Sequence, residues 1–517
     1  MPIIKSTATN HRTMLDALHQ ALTRYSVTSA SSVSGGSSYV VGDVLTLLPP
    51  GSNTVASVPA QVEVTSVSGG AITGFIVVNA GVYAYKAGVG SFGTWTSSGG
   101  SGTGATFTVG LTNNGWTPKR SANVANTAQS ATVAAGGTGY ALGDVIEAAG
   151  GSDYYVKARF RVTGVSSGAV TSVSLEVNGD FGTPPSNPVA TSAITGTGSS
   201  CTLNVTYATA GSSSEREVVL MGTGNGGTDQ IFVGARSYYQ PAFSSAKNWE
   251  LAGFTGFDPA LAWDDLPGIS PGRYDSASGG CFVPLESTTI TYWLFVTPRR
   301  VIGICKIGTT YSSFHFGLLD QFGTDAEIPY PLFIAGGTND RLATYGTSDV
   351  GFCSFANPQR GLASLPAAAL YRGVDGAWTD VNNAYGTGAL RAAKTTGMVV
   401  SPTGALGGAA MLAADSWYDQ SSPKWSDIVP QAGTPGTASA TIARTTASPA
   451  AVPPLFPLTL VSNAPAGIAG QIHDAFWLDV RGGIVSEDVL TVSGTRYRVF
   501  QSANQTDPWM HFAVKEA

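Results

Sequence analysis

Gly35-Gly36-Ser37-Ser38-Tyr39-Val40-Val41-Gly42-Asp43-Val44 returns later in the chain as Gly136-Gly137-Thr138-Gly139-Tyr140-Ala141-Leu142-Gly143-Asp144-Val145. Three more blocks return in the same order. Val64 to Thr73 answers to Val162 to Thr171, Val78-Asn79-Ala80 to Val177-Asn178-Gly179, and Gly102-Thr103-Gly104 to Gly196-Thr197-Gly198. The spacing lies between 94 residues (102 to 196) and 101 (35 to 136). Collinear recurrence at one period marks a duplicated module, and two copies are too few for a stacked solenoid. The sequence therefore predicts two separate beads with one fold.

Each copy reads as a small all-β unit. Gln61 to Val67 alternates polar and apolar, as a half-buried strand does. Ser68-Gly69-Gly70 then turns the chain into Ala71 to Val78, a hairpin. Tyr39 to Leu47 and Tyr140 to Ala148 carry a central Gly-Asp pair suited to a tight turn or bulge. Tyr39 with Tyr140, Val64 with Val162, Val67 with Val165 and Ile72 with Val170 are predicted to face a common core, because a one-residue slip would turn each outward.

Composition narrows the rest. Of 517 residues 43% are apolar and only 12% charged, with 65 Gly and a net charge of −6. Such a chain has ample core and few charges to desolvate in an interface, which suits a protein buried in an assembly. Basic residues form nothing larger than a pair such as Arg299-Arg300, so nucleic acid is not expected as a partner. Cys201, Cys281, Cys305 and Cys353 form no Cys-x-x-Cys, and the histidines (11, 19, 315, 473, 511) form no zinc spacing. The expectation is reduced thiols, no metal and no cofactor. With no apolar run of ~18 residues and no N-terminal apolar leader segment, neither membrane insertion nor classical secretion is expected.

Thr9 to Tyr25 is the one clear helix, capped by Thr9 or Asn10, with Met14, Leu15, Leu18, Leu22 and Tyr25 on one face. The predicted organisation is an N-terminal helical part (1–33), module one (34–111), a link (112–130), module two (131–208) and a β-rich C-terminal body (209–517). Gly115-Trp116 and Lys119-Arg120 in the link match the body in character rather than the modules. Helix 9–25, segment 111–124 and the chain from 214 onward are thus read as one body, with the modules inserted at two surface loops. Within it, Arg216 to Met221 and Gln230 to Ala235 make a hairpin, and Tyr238 to Asp275 is a wetter, aromatic-bearing stretch. Thr288 to Val296 and Val301 to Ile307 make a second hairpin, apolar on both faces and therefore central. Residues 336–450 read as loops and short strands. The end is β again, Glu487 to Val492, Thr495 to Gln501 and Trp509 to Val514.

Gly115-Trp116-Thr117, the run from Glu217 to Ala235, Trp249 to Phe257, Thr291-Tyr292-Trp293 with Arg299 to Ile302, Ile328 to Phe333 and Ser486 to Val489 resemble a family of tailed-bacteriophage virion proteins. The modules lie outside this resemblance and are similar to Gly-rich β repeats of phage tails and fibres. The resemblance implies a structural subunit of the virion, assembled in the host bacterial cytoplasm and associated with tail, baseplate or neck. Its partners would be other virion proteins and copies of itself. The alternatives are a host-surface adhesin that binds cell-surface glycan, a capsid decoration protein and, behind these, a glycan hydrolase.

No catalytic or binding motif survives scrutiny. Gly222-Thr223-Gly224-Asn225-Gly226-Gly227 fits a dinucleotide loop, but a strand follows it where a helix N-terminus is required. Gly268-Ile269-Ser270-Pro271-Gly272 fits a hydrolase elbow, yet Pro271 has no N–H for the oxyanion. Asp264 and Asp265 are adjacent and, on extended chain, would point opposite ways, so with Asp258 and Glu286 they read as surface or turn-capping carboxylates. The tryptophans (249, 263, 293, 378, 417, 425, 477, 509) suit packing and subunit contact before sugar stacking. The chain is expected to be mainly β, multi-domain and not an enzyme.

Overall fold

A computed structural model describes residues 2–50, 54–85, 93–120, 128–151, 157–177, 181, 184–207, 216–225, 230–237, 247–270, 281–286, 288–321, 324, 332–338, 369–372, 378–380, 409–412, 455–463, 466–479, 484–501 and 510–516. The protein is mainly β, with one α-helix and several antiparallel sheets among the described residues. It opens with β1 (Ile3–Ala8) and α1 (His11–Thr23). Asn10 caps the helix: its Oδ1 accepts from the N–H groups of Arg12 (2.9 Å) and Thr13 (3.0 Å), and Thr13 Oγ1 accepts from Asn10 N (3.0 Å). Tyr25 lies outside the helix, in the strand that follows.

Copy one comprises β2 (Tyr25–Ser37), β3 (Val44–Leu48), β4 (Thr54–Val58), β5 (Gln61–Ser68), β6 (Ala71–Asn79), β7 (Val82–Tyr85), β8 (Trp95–Ser98) and β9 (Thr103–Asn113). After β10 (Thr117–Arg120), copy two comprises β11 (Ala128–Thr138), β12 (Val145–Ala148), β13 (Arg159–Ser166), β14 (Ala169–Val177), β15 (Val189–Ala193) and β16 (Ser199–Tyr207). The strand order β2-β9-β8-β3-β5-β6 in copy one is β11-β16-β15-β12-β13-β14 in copy two. β2 approaches β6 and β11 approaches β14, so in each copy these strands nearly close into a barrel. Gly35 and Gly136 stand at that closure, where a Cβ would lie 2.7 Å from Ile72 O and 2.6 Å from Val170 O.

The copies share their irregularities as well. Val64↔Phe75, Ser66↔Gly74 and Val67↔Ile72 carry the same bulges as Val162↔Val173, Gly164↔Ser172 and Val165↔Val170. Tyr39, Val64 and Ile72, and Tyr140, Val162 and Val170, are buried in corresponding cores; Val67 and Val165 are half-buried against them. Two of the matched blocks are displaced. Gln61 pairs with Asn79 where Arg159 pairs with Val177, so Val177 corresponds to Asn79, not Val78. A Cβ on Gly102 would strike the Tyr39 ring and one on Gly198 the Tyr140 ring, so Gly198, not Gly196, corresponds to Gly102. Repeated Gly-Thr-Gly text attracts such misalignment because three residues of low complexity fix no register.

The remaining chain forms β17 (Arg216–Thr223), β18 (Gln230–Ser237), β19 (Trp249–Phe254), β20 (Cys281–Val283), β21 (Ile290–Val296), β22 (Arg300–Ile307), β23 (Thr310–Leu318), β24 (Asp320–Gln321), β25 (Leu332–Ala335), β26 (Ala369–Arg372), β27 (Trp378–Asp380), β28 (Ala409–Leu412), β29 (Phe456–Asn463), β30 (Ala466–Asp479), β31 (Val489–Val492), β32 (Thr495–Gln501) and β33 (Met510–Lys515). Much of the region read as loops and short strands, 336–450, lies outside the described residues. Three sheets result: β1-β21-β22-β23-β25-β26-β27, β10-β17-β18-β19-β20, and β28-β29-β30-β33-β32-β31 with β24 on β30. The 290–307 hairpin is buried on both faces as expected. Within the stretch read as wet, β19 is buried along its whole length.

One core joins pieces from before, between and after the copies. Leu15, Leu18 and Leu22 of α1, Trp116, Val218, Leu220, Val233, Trp249, Leu294 and Phe316 belong to a single buried cluster. The helix thus packs on its own sheets. Val58 and Val82 of copy one also enter this cluster, and Ala80 N donates to Ile3 O (2.7 Å). Asn79 Nδ2 donates to Lys5 O (2.7 Å). The core of copy two shares no residue with it. Copy one is therefore not a separate bead. Replacing residues 128–207 by a short Gly/Ser linker should leave a soluble remainder with a cooperative melt. Excising copy one, residues 25–113, should give an aggregated or molten product in the same calorimetric test.

Candidate functional site

Four buried charged residues, Arg120, Glu217, Arg236 and Glu250, lie together on one face of the β10-β17-β18-β19-β20 sheet. Along β17, β18 and β19 the side chains alternate. Val218, Ala235 and Leu251 face the main core, while Glu217, Arg236 and Glu250 stand side by side on the other face. Arg236 Nη2 donates to Glu250 Oε2 (2.8 Å), and its guanidinium grips Asp264 through two bonds of 3.3 Å. Trp263 Nε1 donates to Glu250 Oε1 (3.1 Å), and its ring lies under the guanidinium, 5.2 Å from the centroid. Arg120 on β10 donates to Glu217 Oε1 (3.0 Å) and to Leu261 O, and stacks over Phe257.

The segment 255–270 closes this face. A 3-10 turn, Trp263–Asp265, brings Trp263 edge-on to Phe254, centroids 5.1 Å apart. Gly234 lies beneath Trp263, where a Cβ would sit 2.7 Å from the ring. Burial opposes charge on Arg236, but its two carboxylate partners outweigh this and raise its pKa. Burial pushes the Glu250 carboxyl up, against the pull of Arg236 and the Trp263 N–H. Glu250 is 2% exposed, so its carboxylate has no room for a substrate. The cluster can hold a loop on a sheet; it cannot flank a glycosidic bond.

The sequence-flagged residues fall as follows. Asp264 and Asp265 sit in the 3-10 turn rather than on extended chain, which replaces the opposite-pointing argument; Asp264 holds Arg236 and Asp265 is exposed. Asp258 Oδ1 accepts from Ala260 N (2.9 Å) in a turn, and Glu286 O accepts from His11 N (3.0 Å). Ser270 is buried, its Oγ accepting from Gly253 N (3.2 Å). Gly222 and Thr223 end β17, which pairs with β18 as a hairpin, and Gly224 follows the strand. Trp249, Trp263 and Trp293 are buried, and Trp378 Nε1 donates to Gly268 O (3.0 Å). Trp417, Trp425, Trp509, Cys353 and Pro271 lie outside the described residues, as does the side chain of Trp477. Cys201, Cys281 and Cys305 are buried thiols, and no metal-binding group of three side chains occurs among the described residues. Among the described residues no helix is long and apolar enough to cross a membrane.

Sequence reasoning missed the charge row. Its trace was there: Arg236 and Glu250 are lone charges in their strands and Glu217 follows Arg216 at the start of β17, but register alone brings the three together. Comparison with protein-family models and with curated proteins finds no match.

Four histidines are held neutral by burial. Their pKa values fall from 6.5 to about 4 for His11 and His511, and to about 3 for His19 and His315. Between 6.5 and those values the unfolded chain binds the protons that the folded chain refuses. Stability is thus complete above 6.5 and is lost on acidification, by at most about 1.4 kcal/mol per histidine per pH unit. A falling melting temperature from pH 7 to pH 5 is expected, and an unchanged one would contradict this reading.

For the charge row, Arg236→Met should cost about 3–5 kcal/mol by removing the guanidinium that offsets the buried Glu250 carboxylate. The double variant Arg236→Met with Glu250→Leu should recover most of that loss in denaturant titrations.

Proposed function

We propose that this chain is a structural subunit of a tailed-bacteriophage virion, associated with tail, baseplate or neck. It holds neighbouring subunits through its sheets and carries two β modules outward, with no catalysis of its own. The carrying observation is where the resembling residues lie. Trp116, Glu217, Val218, Val233, Trp249, Glu250 and Tyr292 build the shared core and the charge row. The resemblance is thus one of the packed body, not of scattered surface residues. Buried charges that are mutually neutralised serve rigidity rather than chemistry, which suits a mechanical role. An adhesin that stacks sugars on aromatic rings draws no support from Trp249, Trp263 or Trp293, all of which are buried.

Purified particles of the phage that encodes this chain provide the test. Quantitative mass spectrometry should find the chain at a fixed copy number. A low-resolution image with the chain labelled should place it at symmetric positions on the tail, baseplate or neck. Absence from purified particles, with expression in infected cells, would refute the proposal.

A further inference from the structure

The two copies are seated on the body by different chemistry. β1 lies beside β6 as β10 lies beside β14. In copy one the seam is a clasp. Asn79 Oδ1 accepts from Lys5 N (3.3 Å), its Nδ2 donates to Lys5 O (2.7 Å), and Ala80 N donates to Ile3 O (2.7 Å). Val58 and Val82 extend the main core into the copy, and Glu63 lies 4.0 Å from Arg496 of the C-terminal sheet. Backbone bonds and shared apolar burial together fix copy one in place.

Copy two is held otherwise. Val177 stands where Asn79 stands and has no amide with which to clasp β10. Pro118 of β10 has no N–H to offer. The seam carries charge instead. Lys119 is the bulged residue of β10; burial lowers its pKa, Glu176 of β14 raises it and Arg161 of β13 lowers it again. Arg161 Nη2 donates to Glu176 Oε1 (2.9 Å), and Arg161 Nη1 to Gly143 O (3.0 Å). Glu176 Oε2 is buried with no hydrogen-bond partner among the described residues, so the docked state leaves it unsatisfied. Two cations share one carboxylate, and attraction across the seam is set against repulsion. The barrel itself does not need these charges, since copy one has Glu63 and Val78 at the places of Arg161 and Glu176.

We infer that copy two is a pivoting arm, docked on β10 by the attraction between Lys119 and Glu176, while copy one is a fixed anchor. An interface within a chain that is neither large nor hydrophobic leaves its domains free to move. Here the two cores share no residue, and the charges that join them stabilise weakly because Arg161 and Glu176 keep contact with solvent. Both ends of copy two lie together, Ala128 pairing with Tyr207, so the barrel is tied to the body at one place and turns about it without strain on its own sheet. Its closed hydrogen-bonded sheet moves as a unit, since every strand from β11 to β14 belongs to one order.

Distances between paired spin labels on the full chain test this. Cys353→Ser leaves Cys201, Cys281 and Cys305, all buried, as the native thiols. Ser166→Cys and Ser68→Cys label exposed, corresponding positions of the two copies, and Thr309→Cys labels an exposed turn of the body. The 166–309 pair should show a docked distance and a second, longer population, and the 68–309 pair one narrow distance. Glu176→Lys should raise the longer population by about threefold or more, and Lys119→Glu added to it should return the docked distance. Unchanged melting curves show that the variants fold. A single narrow 166–309 distance in the otherwise wild-type chain, or a distribution that Glu176→Lys leaves unmoved, overturns the inference. So does a 68–309 distance as broad as the 166–309 one. The virion proposal is untouched by either result, because the measurement concerns the chain alone in solution.

Discussion

Burial of one helical face holds together the stretches of chain before copy one and after copy two. Met14, Leu15, Leu18 and Leu22 are inaccessible to solvent, packed among Val218, Leu220, Val233 and Trp249. Four such side chains stabilise by roughly 6–12 kcal/mol in transfer terms. Closing a long insertion costs only logarithmically in its length, so this face can tie the chain on either side of copy one. Polar contacts set the helix orientation: Trp249 Nε1 donates to His11 O (2.8 Å), and His11 Nδ1 meets Ser237 Oγ (2.6 Å). Asn114 finishes its far end by donating to Ala21 O (2.5 Å).

A second clamp joins the C-terminal sheet to β21–β23. Phe500 packs on Trp293, Phe295 and Tyr311, and Glu487 accepts from Lys306 and from Tyr311 Oη (3.0 Å), with Lys5 3.8 Å away. Glu487 takes a positive φ of 78° to place its carboxylate there, a strain tolerated because three partners hold the group. Arg496 of the same sheet reaches Glu63 of copy one (4.0 Å). Copy one therefore leans on both ends of the chain, while copy two meets the rest through β14 beside β10.

Local pattern made much of this legible. Alternating or apolar text broken by turn residues (Gly in 61–78, 217–235 and 489–501, Thr297-Pro298-Arg299-Arg300 in 290–307) located these hairpins, and 3.6-residue spacing located α1. What local text could not carry was anything set by partners far away. β2 begins at Tyr25, in Ser- and Thr-rich text whose strand character comes from pairing with β9. β19 looked wet because its neighbours are Gly, Pro and Asp, yet sheet pairing on both sides buries it. The charge row depends on three registers, which single strands do not encode.

The pairing of Ile3 with Phe295 and of Ala8 with Ile290 has a consequence for synthesis. At about 5–20 residues per second, the ribosome takes tens of seconds between making β1 and making its partner β21. Each copy, by contrast, contains all the partners its barrel needs and can close as soon as its last strand emerges. Copy two is therefore a finished object, and copy one lacks only the cover of Val58 and Val82, while the apolar faces of β1 and α1 still await their sheets. That interval is when a chain of this design is most exposed to aggregation and most in need of a chaperone.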